Sequence, residues 1–263
     1  MYIIRAQKTE GYHSIVEPTS GSLKLLSFGT LDLEPGQSYE ATSGREEKVL
    51  ILLQGSVRIE VEGQQYEGSR ENVFASKATA VYVGAQSSFR VLNTGNTPLR
   101  VALCGTPAPE KMAPFMVKPD EVWSRTVGKE SWEREVHDIV VKNAEGRVHR
   151  IIVGETFNQA GKWSSYPPHK HDHYEPGVEA EMEEVYYYQL NPEHGFGVQA
   201  IYTTDGSIDE AYRVLHGDTF VVPKGYHPVC AAGGYQLYYL WMMAGTIDRV
   251  MIPHDDPTHA WLK

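Results

Sequence analysis

Hydrophobic residues follow the chain in short apolar runs and in alternation with polar residues, two patterns that indicate β-strands. Residues 49–53 form an apolar run typical of a strand covered on both faces. Residues 56–61 alternate, which places Val57, Ile59 and Val61 on one face. Further strand patterns lie at 81–83, 89–92 and 99–103. Because turn residues separate these strands at short intervals, the pattern favours an all-β sandwich or barrel.

The second half of the chain repeats this strand-rich pattern after a connecting segment. Four prolines between residues 107 and 119 indicate a connection, and residues 120–136 are more helix-like. Strand patterns resume at 148–153, 184–190, 198–202, 211–214, 219–222 and 235–243. The sequence therefore predicts an N-terminal domain over 1–118, a connecting segment over 119–140 and a C-terminal domain over 141–263.

The two halves also resemble each other. Gly36 and Gly161 each occupy a turn after a strand, and acidic residues precede the strand patterns that begin near Val49 and Val185. This weak repeat predicts the duplication of one antiparallel β-barrel.

Composition narrows the class of protein. The 263 residues are 41% hydrophobic and 22% charged, which is typical of a soluble globular protein. A net charge of −10 argues against nucleic acid or an anionic membrane as the main partner. Cys104 and Cys230 are too few and too far apart for a disulfide framework or a thiolate zinc site. Because no apolar run is long enough for a signal-peptide core or a membrane span, we expect a cytoplasmic protein.

Histidine is distributed unevenly, and this places the chemistry in the second half. Of the eleven histidines, only His13 precedes residue 137. His169 and His171 are two residues apart, so in an extended strand both side chains lie on one face. Glu184 opens the next clear strand, and His227 follows a Pro-x-Gly turn. Three imidazoles and one carboxylate suit a divalent first-row metal that keeps open positions for substrate.

These residues resemble the two motifs of the cupin superfamily. The first motif is carried by Gly161, His169, His171 and Glu184, and the second by the segment from Gly217 to His227. Twelve residues separate His171 from Glu184 where cupins usually have three or four, and this leaves other carboxylates open. The alternatives to Glu184 are Glu175, Glu179, Glu181 and Glu183, and His173 is an alternative to His169.

Over nearly its full length the chain resembles the bacterial 5-deoxy-glucuronate isomerases of myo-inositol catabolism, which are relatives of the 5-keto-4-deoxyuronate isomerases. The resemblance depends on residues 167–172, 183–188, 192–197, 223–228 and 256–261. It implies a bicupin, with two jelly-roll-like barrels (double-stranded β-helices) joined by short helical connections, and a metal in the C-terminal barrel.

The N-terminal barrel would then lack metal ligands. It has Tyr39 and Glu40 at the position of the histidine pair, and only Glu47 matches an acidic ligand position. We expect it to bind no metal.

The implied reaction is the aldose–ketose isomerisation of 5-deoxy-D-glucuronate to 5-dehydro-2-deoxy-D-gluconate. One divalent ion would serve as a Lewis acid, with Zn²⁺ favoured and Mn²⁺, Fe²⁺ and Ni²⁺ as alternatives.

Tyr186 and Tyr188 share the face of Glu184 and are candidates for proton transfer or for barrel packing. Lys224 and Arg213 are candidates for the substrate carboxylate or solvated charges, and His194 for the pocket mouth or a turn cap. The sequence does not identify the general base.

Two other functions also fit these residues: a metal-dependent cupin dioxygenase and a non-catalytic bicupin that binds uronic acids. For the isomerase we expect a small sugar acid as substrate, with no nucleic-acid or membrane partner. The aromatic strands are compatible with a homo-oligomer, but no pattern fixes the number of subunits.

Overall fold

The computed structural model describes residues 2–18 and 21–263, and these residues are almost entirely β-structure. They form twenty-two strands and three short 3₁₀ helices. In chain order the elements are β1 Ile3–Ile4, β2 Gly11–Val16, β3 Ser27–Leu33, β4 Ser38–Thr42, β5 Glu46–Val61, β6 Gln64–Arg70, β7 Ala80–Val83, β8 Ser88–Asn93, β9 Leu99–Pro107, β10 Phe115–Val117, β11 Trp123–Val127, η1 Glu130–Trp132, β12 Arg134–Val140, η2 Lys142–Ala144, β13 Ile152–Asn158, β14 Trp163–Ser164, β15 His169–Lys170, β16 Met182–Asn191, β17 Gly197–Tyr202, β18 Asp209–Val214, β19 Thr219–Val222, β20 Val229–Ala231, β21 Gln236–Gly245, β22 His254–Asp255 and η3 Pro257–Leu262. The predicted all-β class is confirmed.

The chain divides into two compact units, each assembled from separate stretches of sequence. The N-terminal unit contains Lys8–Trp123 and Asp138–Val153. The C-terminal unit contains Ser124–His137, Gly154–Lys263 and the described residues up to Gln7. The domain bounds at residues 118 and 140 remain predictions from the sequence.

The N-terminal unit is organised around β5, which takes part in two strand pairings. Its first half pairs with β7 and β9, and its second half pairs with β6 and β8. Gly55 lies at the change of partner with a φ of 100°, and a side chain there would come within 2.9 Å of the Cα of Leu99. The two strand patterns at 49–53 and 56–61 are therefore one bent strand. Its inward side chains pack with those of β3, β8 and β9 in one aliphatic core.

The C-terminal unit is organised around β16. All ten of its residues pair with β21, and Glu184–Tyr187 also pair with β19 on the other side. A four-stranded sheet in the order β14-β20-β17-β18 and the short β15–β22 pair complete the site region. The N-terminal strand β1 is antiparallel to β19 in the same unit. Because β16 has neighbours on both edges, its backbone is fixed where the candidate ligand Glu184 lies.

Three details of the sequence-based fold are corrected. The sheets stay open rather than closing into two barrels, and edge strands such as β10 and β18 have one neighbour each among the described residues. Residues 120–136 form β11, a single 3₁₀ turn and the start of β12 instead of a helix, because β-branched residues favour strands and Gly128, with a φ of 83°, interrupts the segment. The strand expected from Val148 begins only at Ile152.

No helix in residues 2–18 and 21–263 has both the length and the apolar character that crossing a membrane requires. Cys104 is buried, Cys230 is partly buried, and neither forms a disulfide.

Candidate metal centre

Three of the four predicted ligands line one cavity in the C-terminal unit. The cavity has a volume of about 320 Å³, and His169, His171 and Glu184 line part of its wall. The remainder of its wall consists of Arg125, Arg134, two hydroxyl residues, three aromatic side chains and several apolar residues. The cavity therefore combines candidate metal ligands, positive charge and an apolar surface, as small-molecule sites commonly do.

Local pairing brings His171 to Glu184. The backbone N–H of Met182 donates to the carbonyl of His171 at 2.8 Å, and the Nδ1–H of His171 donates to the carbonyl of Met182 at 2.8 Å. Glu184 is two residues further along β16, so it lies on the same side of the strand as Met182. The predicted proximity of Glu184 to the histidine motif thus arises from contacts at the start of β16 and not from a ladder with β15.

His227 approaches the same carboxylate from a turn. Its Nδ1–H donates to the carbonyl of Gly225 at 2.8 Å. The Nε2 atoms of His171 and His227 lie 3.1 Å and 3.2 Å from Oε2 of Glu184. Both rings therefore use Nδ1 to bind the backbone and direct Nε2 towards one carboxylate oxygen, an arrangement common in histidines that ligate metals.

His171, Glu184 and His227 fit a divalent metal. Their ligand atoms all lie within 4.8 Å of one another, and all three side chains are buried. The Nε2 of His227 is buried 3.2 Å from Oε2 of Glu184 without a well-aligned hydrogen bond, so in the neutral ring its lone pair can bind an ion. Two ligands bound to one ion at about 2.1 Å lie about 3.0–3.4 Å apart for right-angled to tetrahedral geometry, which matches the distances of 3.1 Å and 3.2 Å from the two histidines to Glu184.

His169 lies at the edge of this group. Its ring centroid is 5.1 Å from that of His227 and 6.4 Å from that of His171. Burial, together with the neighbouring His227 and His171, lowers the pKa of His169 well below its ordinary value. The ring is therefore neutral, the form that binds a metal. Its role as a further ligand stays a prediction, because only the other three form the compact group.

The carboxylate is charged at neutral pH. Burial by itself raises the pKa of Glu184, but its contacts with the neighbouring His171 and His227 outweigh burial and lower it to about 2. Burial likewise disfavours the charged form of His171, yet Glu184 raises the pKa of that ring above its usual value. In the absence of metal the group is thus a tightly coupled buried ion pair.

The alternative ligands lie elsewhere. Glu179 pairs with Lys170, with 2.7 Å between its Oε2 and the lysine Nζ. Glu175, Glu181 and His173 are exposed, and Glu183 lies on the opposite side of β16 from Glu184. Among the described residues, Glu184 is the only carboxylate grouped with the buried imidazoles.

The two candidate tyrosines on β16 differ in position. Tyr186 lines the cavity, and its hydroxyl is 2.9 Å from Oγ of Ser165. Tyr188 does not line the cavity, and its hydroxyl donates to Oε1 of Gln199 at 2.6 Å. Burial raises the pKa of both hydroxyls well above the ordinary value, so both stay protonated.

The structure does not bring the predicted carboxylate-binding residues to the cavity. Lys224, Arg213 and His194 are exposed, and none of them lines the cavity that contains Glu184. Lys224 and His194 lie in turns and Arg213 lies on the edge strand β18, so solvent hydrates all three side chains.

Arg125 on β11 and Arg134 on β12 occupy the cavity wall instead. Sequence reasoning missed both, because they belong to the segment interpreted as a connection. Nη1 of Arg134 donates to the carbonyls of Trp132 and Tyr166, each at 3.1 Å, which fixes the guanidinium beside the cavity. No motif marks these arginines, and only the placement of β11 and β12 reveals them.

Comparisons with known proteins agree with the motifs. The chain matches the KduI/IolB family over residues 2–262. The 5-deoxy-glucuronate isomerase of Bacillus licheniformis is 38% identical over 250 residues, covering 94% of this chain and 91% of the relative. That of Halalkalibacterium halodurans is 36% identical over 263 residues, covering 98% and 96%.

Solved structures extend the comparison to the fold. An IolB-like protein of Salmonella typhimurium superposes with a TM-score of 0.92 and 30% identity, covering 100% of this chain and 99% of that one. The oxalate decarboxylase of Lactobacillus farciminis gives a TM-score of 0.68 at 11% identity, covering 97% and 88%, and shows the fold alone. Together these matches confirm the family resemblance and the cupin-like fold.

Proposed function

Since this chain belongs to the KduI/IolB family and is an enzyme of the isomerase class, we propose that it is a metal-dependent aldose–ketose isomerase. Its substrate is 5-deoxy-D-glucuronate, its product is 5-dehydro-2-deoxy-D-gluconate, and its place is myo-inositol catabolism in the cytoplasm. The observation that supports this proposal best is the buried His171–Glu184–His227 group, whose ligand atoms lie within 4.8 Å of one another. His171 and Glu184 of this group line a cavity that two arginines also line.

The reaction moves hydrogen within one molecule. A proton leaves C2 of the aldose and another is added at C1, while the hydroxyl proton leaves O2 and O1 gains one. The carbonyl thereby passes from C1 to C2, and no oxidant or reductant is consumed. His171, Glu184 and His227, with His169 beside them, would hold the ion in their neutral imidazole and ionised carboxylate forms. A bound divalent ion, Zn²⁺ in this proposal, supplies Lewis acidity that stabilises negative charge on the substrate oxygens.

Arg125 and Arg134 take the role first assigned to Lys224, Arg213 and His194. A planar guanidinium binds a carboxylate through two parallel hydrogen bonds, which fixes orientation as well as charge. Two backbone carbonyls already orient Arg134, so little side-chain freedom is lost when the substrate binds. We propose that the carboxylate end of the sugar acid binds at these arginines and that its C1–C2 end lies towards Glu184.

Tyr186 is the candidate hydrogen-bond donor to the reacting oxygens. Its raised pKa keeps the proton on the hydroxyl, and Ser165 orients that hydroxyl from the cavity side. Tyr188 has its hydroxyl occupied by Gln199, so we assign it to packing and not to catalysis.

The test is conversion of 5-deoxy-D-glucuronate by purified protein, followed by NMR in D₂O, in anaerobic buffer, with added Zn²⁺ or with EDTA. We expect the ketose to form without oxygen, solvent deuterium to appear at C1 where the transferred proton exchanges, and EDTA to abolish turnover. His171→Ala should eliminate activity, whereas His173→Ala, an exposed histidine two residues away, should not change it. Parallel assays replace Zn²⁺ with Mn²⁺, Fe²⁺ or Ni²⁺.

Folded, metal-loaded protein that leaves the aldose unchanged would refute the isomerase. Consumption only in the presence of oxygen would identify a dioxygenase, and tight binding without turnover would identify a sugar-acid-binding protein.

A further inference from the structure

The long insert between His171 and Glu184 contains a buried acidic residue that the metal group does not use. Glu179 is 4% exposed, and its Oε1 accepts hydrogen bonds from the backbone N–H groups of Asp172 and His173 at 2.8 Å and 3.0 Å. Nζ of Lys170 lies 2.8 Å and 2.7 Å from its two oxygens. The insert thus folds back, fixes the backbone after His171 and holds the side chain of Lys170 before it.

Asp172 extends this network to the second metal-binding segment. Its Oδ2 accepts a hydrogen bond from the backbone N–H of Gly225 at 2.7 Å, and its Oδ1 lies 2.6 Å from Nζ of Lys170. The carbonyl of Gly225 accepts the Nδ1–H of His227 at 2.8 Å. Two consecutive hydrogen bonds therefore connect the residue next to His171 with the ring of His227.

The backbone at Gly225 cannot shift freely to compensate for a change at Asp172. Gly225 has a φ of 91°, and a Cβ there would lie 2.6 Å from the carbonyl oxygen of Tyr202. Tyr226 next to it exchanges backbone hydrogen bonds with Tyr202 at 2.8 Å and 3.0 Å. The turn that bears His227 is thus closely packed, and Asp172 sets its position relative to His171.

We propose that Lys170, Asp172 and Glu179 form a clamp that sets the separation of His171 and His227, with Asp172 and Glu179 as positioning residues for the metal. The clamp gives the long insert between His171 and Glu184 a function. The insert supplies Glu179, and a connection of three or four residues would be too short to supply it. This inference rests on the proposed metal site, and it concerns the affinity and geometry of that site and not the identity of the substrate.

The test is titration of metal-free protein with Co²⁺, whose visible absorption reports coordination geometry. Asp172→Ala and Glu179→Ala should weaken Co²⁺ binding by about 10- to 100-fold, as loss of partners outside the ligand shell commonly does, and should change the absorption spectrum. Asp172→Asn keeps an oxygen for the Gly225 N–H and should recover most of the affinity. Glu181→Ala, an exposed acid in the same insert, is the matched control and should behave as wild type.

Circular dichroism and thermal unfolding identify the variants that fold. A purely structural role would lower Tm while leaving the affinity and spectrum of the folded protein unchanged, and that result would overturn the clamp. Glu179→Gln keeps an acceptor but loses the charge opposite Lys170, and we expect several-fold weaker binding. Unchanged affinity in this variant overturns the clamp even where the alanine variants do not fold.

The same titration separates the two proposals. Wild-type protein that binds Co²⁺ but does not isomerise the sugar acid refutes the proposed function, while a loss of affinity in the clamp variants still supports the clamp. Wild-type protein that binds no Co²⁺ refutes the clamp together with the metal site.

Discussion

Glu47 in the N-terminal unit and Glu184 in the C-terminal unit occupy similar places and have different neighbours. Each lies near the start of a long central strand, β5 or β16, and each is buried. Glu184 faces two imidazoles. Glu47 accepts three backbone N–H groups, from His149, Arg150 and Ile151 at 2.7–2.9 Å, and the hydroxyl of Tyr82 at 2.7 Å. The groups that face a buried carboxylate therefore decide what it can do.

The two carboxylates differ in the groups that form hydrogen bonds with them. A buried carboxylate is stable only where donors or cations compensate its lost hydration. Four hydrogen-bond donors already compensate the lost hydration of Glu47, so its oxygens have little remaining capacity to bind an ion. At the position of the histidine pair, Tyr39 stacks on Tyr12 with 5.6 Å between ring centroids, and Glu40 is exposed beside Arg90. The acidic residue near the start of the central strand thus anchors the backbone in one unit and faces imidazoles in the other.

The largest effect should come from Glu184→Gln. Loss of the anionic ligand should reduce kcat/KM by about 1000-fold or more, equivalent to about 4 kcal/mol, and should abolish metal retention on gel filtration. Metal content by elemental analysis and turnover by NMR measure both effects. A Glu184→Gln enzyme that keeps its metal and its rate would remove the proposed chemical distinction between the two carboxylates.

Glu47→Gln should affect stability instead of metal content. The amide that replaces the carboxylate places an N–H group opposite backbone N–H groups. This should lower the free energy of unfolding by about 2–3 kcal/mol. Urea unfolding should show a lower midpoint, while the metal content of the folded protein stays the same. Glu40→Gln is the matched surface control and should change stability by less than about 0.5 kcal/mol. Loss of metal from folded Glu47→Gln protein would contradict this assignment.

Substitution of either cavity arginine should have a smaller effect than substitution of either carboxylate. Arg134→Ala and Arg125→Ala should each raise KM by about 10- to 100-fold, or about 1.4–2.7 kcal/mol, with metal content unchanged. Arg134→Lys should recover only part of the affinity, because an ammonium cannot form two parallel bonds. Arg213→Ala and Lys224→Ala serve as exposed controls. If these controls raise KM while the cavity variants do not, the substrate carboxylate binds outside the cavity.

Local patterns were sufficient for the long central strands and for the candidate metal group. Apolar runs and alternation identified ten of the twenty-two strands among the described residues, including β5 and β16. The spacing of His171, Glu184 and His227 marked side chains that local pairing then brings together. The acidic position of Glu47 was also visible, but its partners were not, because they lie 102 to 104 residues further along the chain. A sequence pattern reports which face of a strand a residue occupies, and long-range packing decides what it meets there.

The arginines illustrate the same limit in the C-terminal unit. Arg125 and Arg134 follow no motif, and they reach the cavity only because the segment expected to be helix-like forms strands. Lys224 was a reasonable candidate because it lies within the second motif, three residues before His227. Its turn directs it to solvent, an orientation that spacing alone does not encode.

The smallest effects should separate Tyr186 from Tyr188, which lie on the same face of β16. Tyr186→Phe removes a protonated donor from the cavity wall and should lower kcat by about tenfold, or about 1.4 kcal/mol, with Tm nearly unchanged. Tyr188→Phe leaves Oε1 of Gln199 without its donor and should cost about 1 kcal/mol of stability while kcat remains near wild type. Steady-state kinetics and thermal unfolding measure the two effects independently. The reverse result, with kcat lost at Tyr188 and stability at Tyr186, would assign the catalytic hydroxyl to Tyr188, because a hydroxyl that only packs has no means of changing kcat.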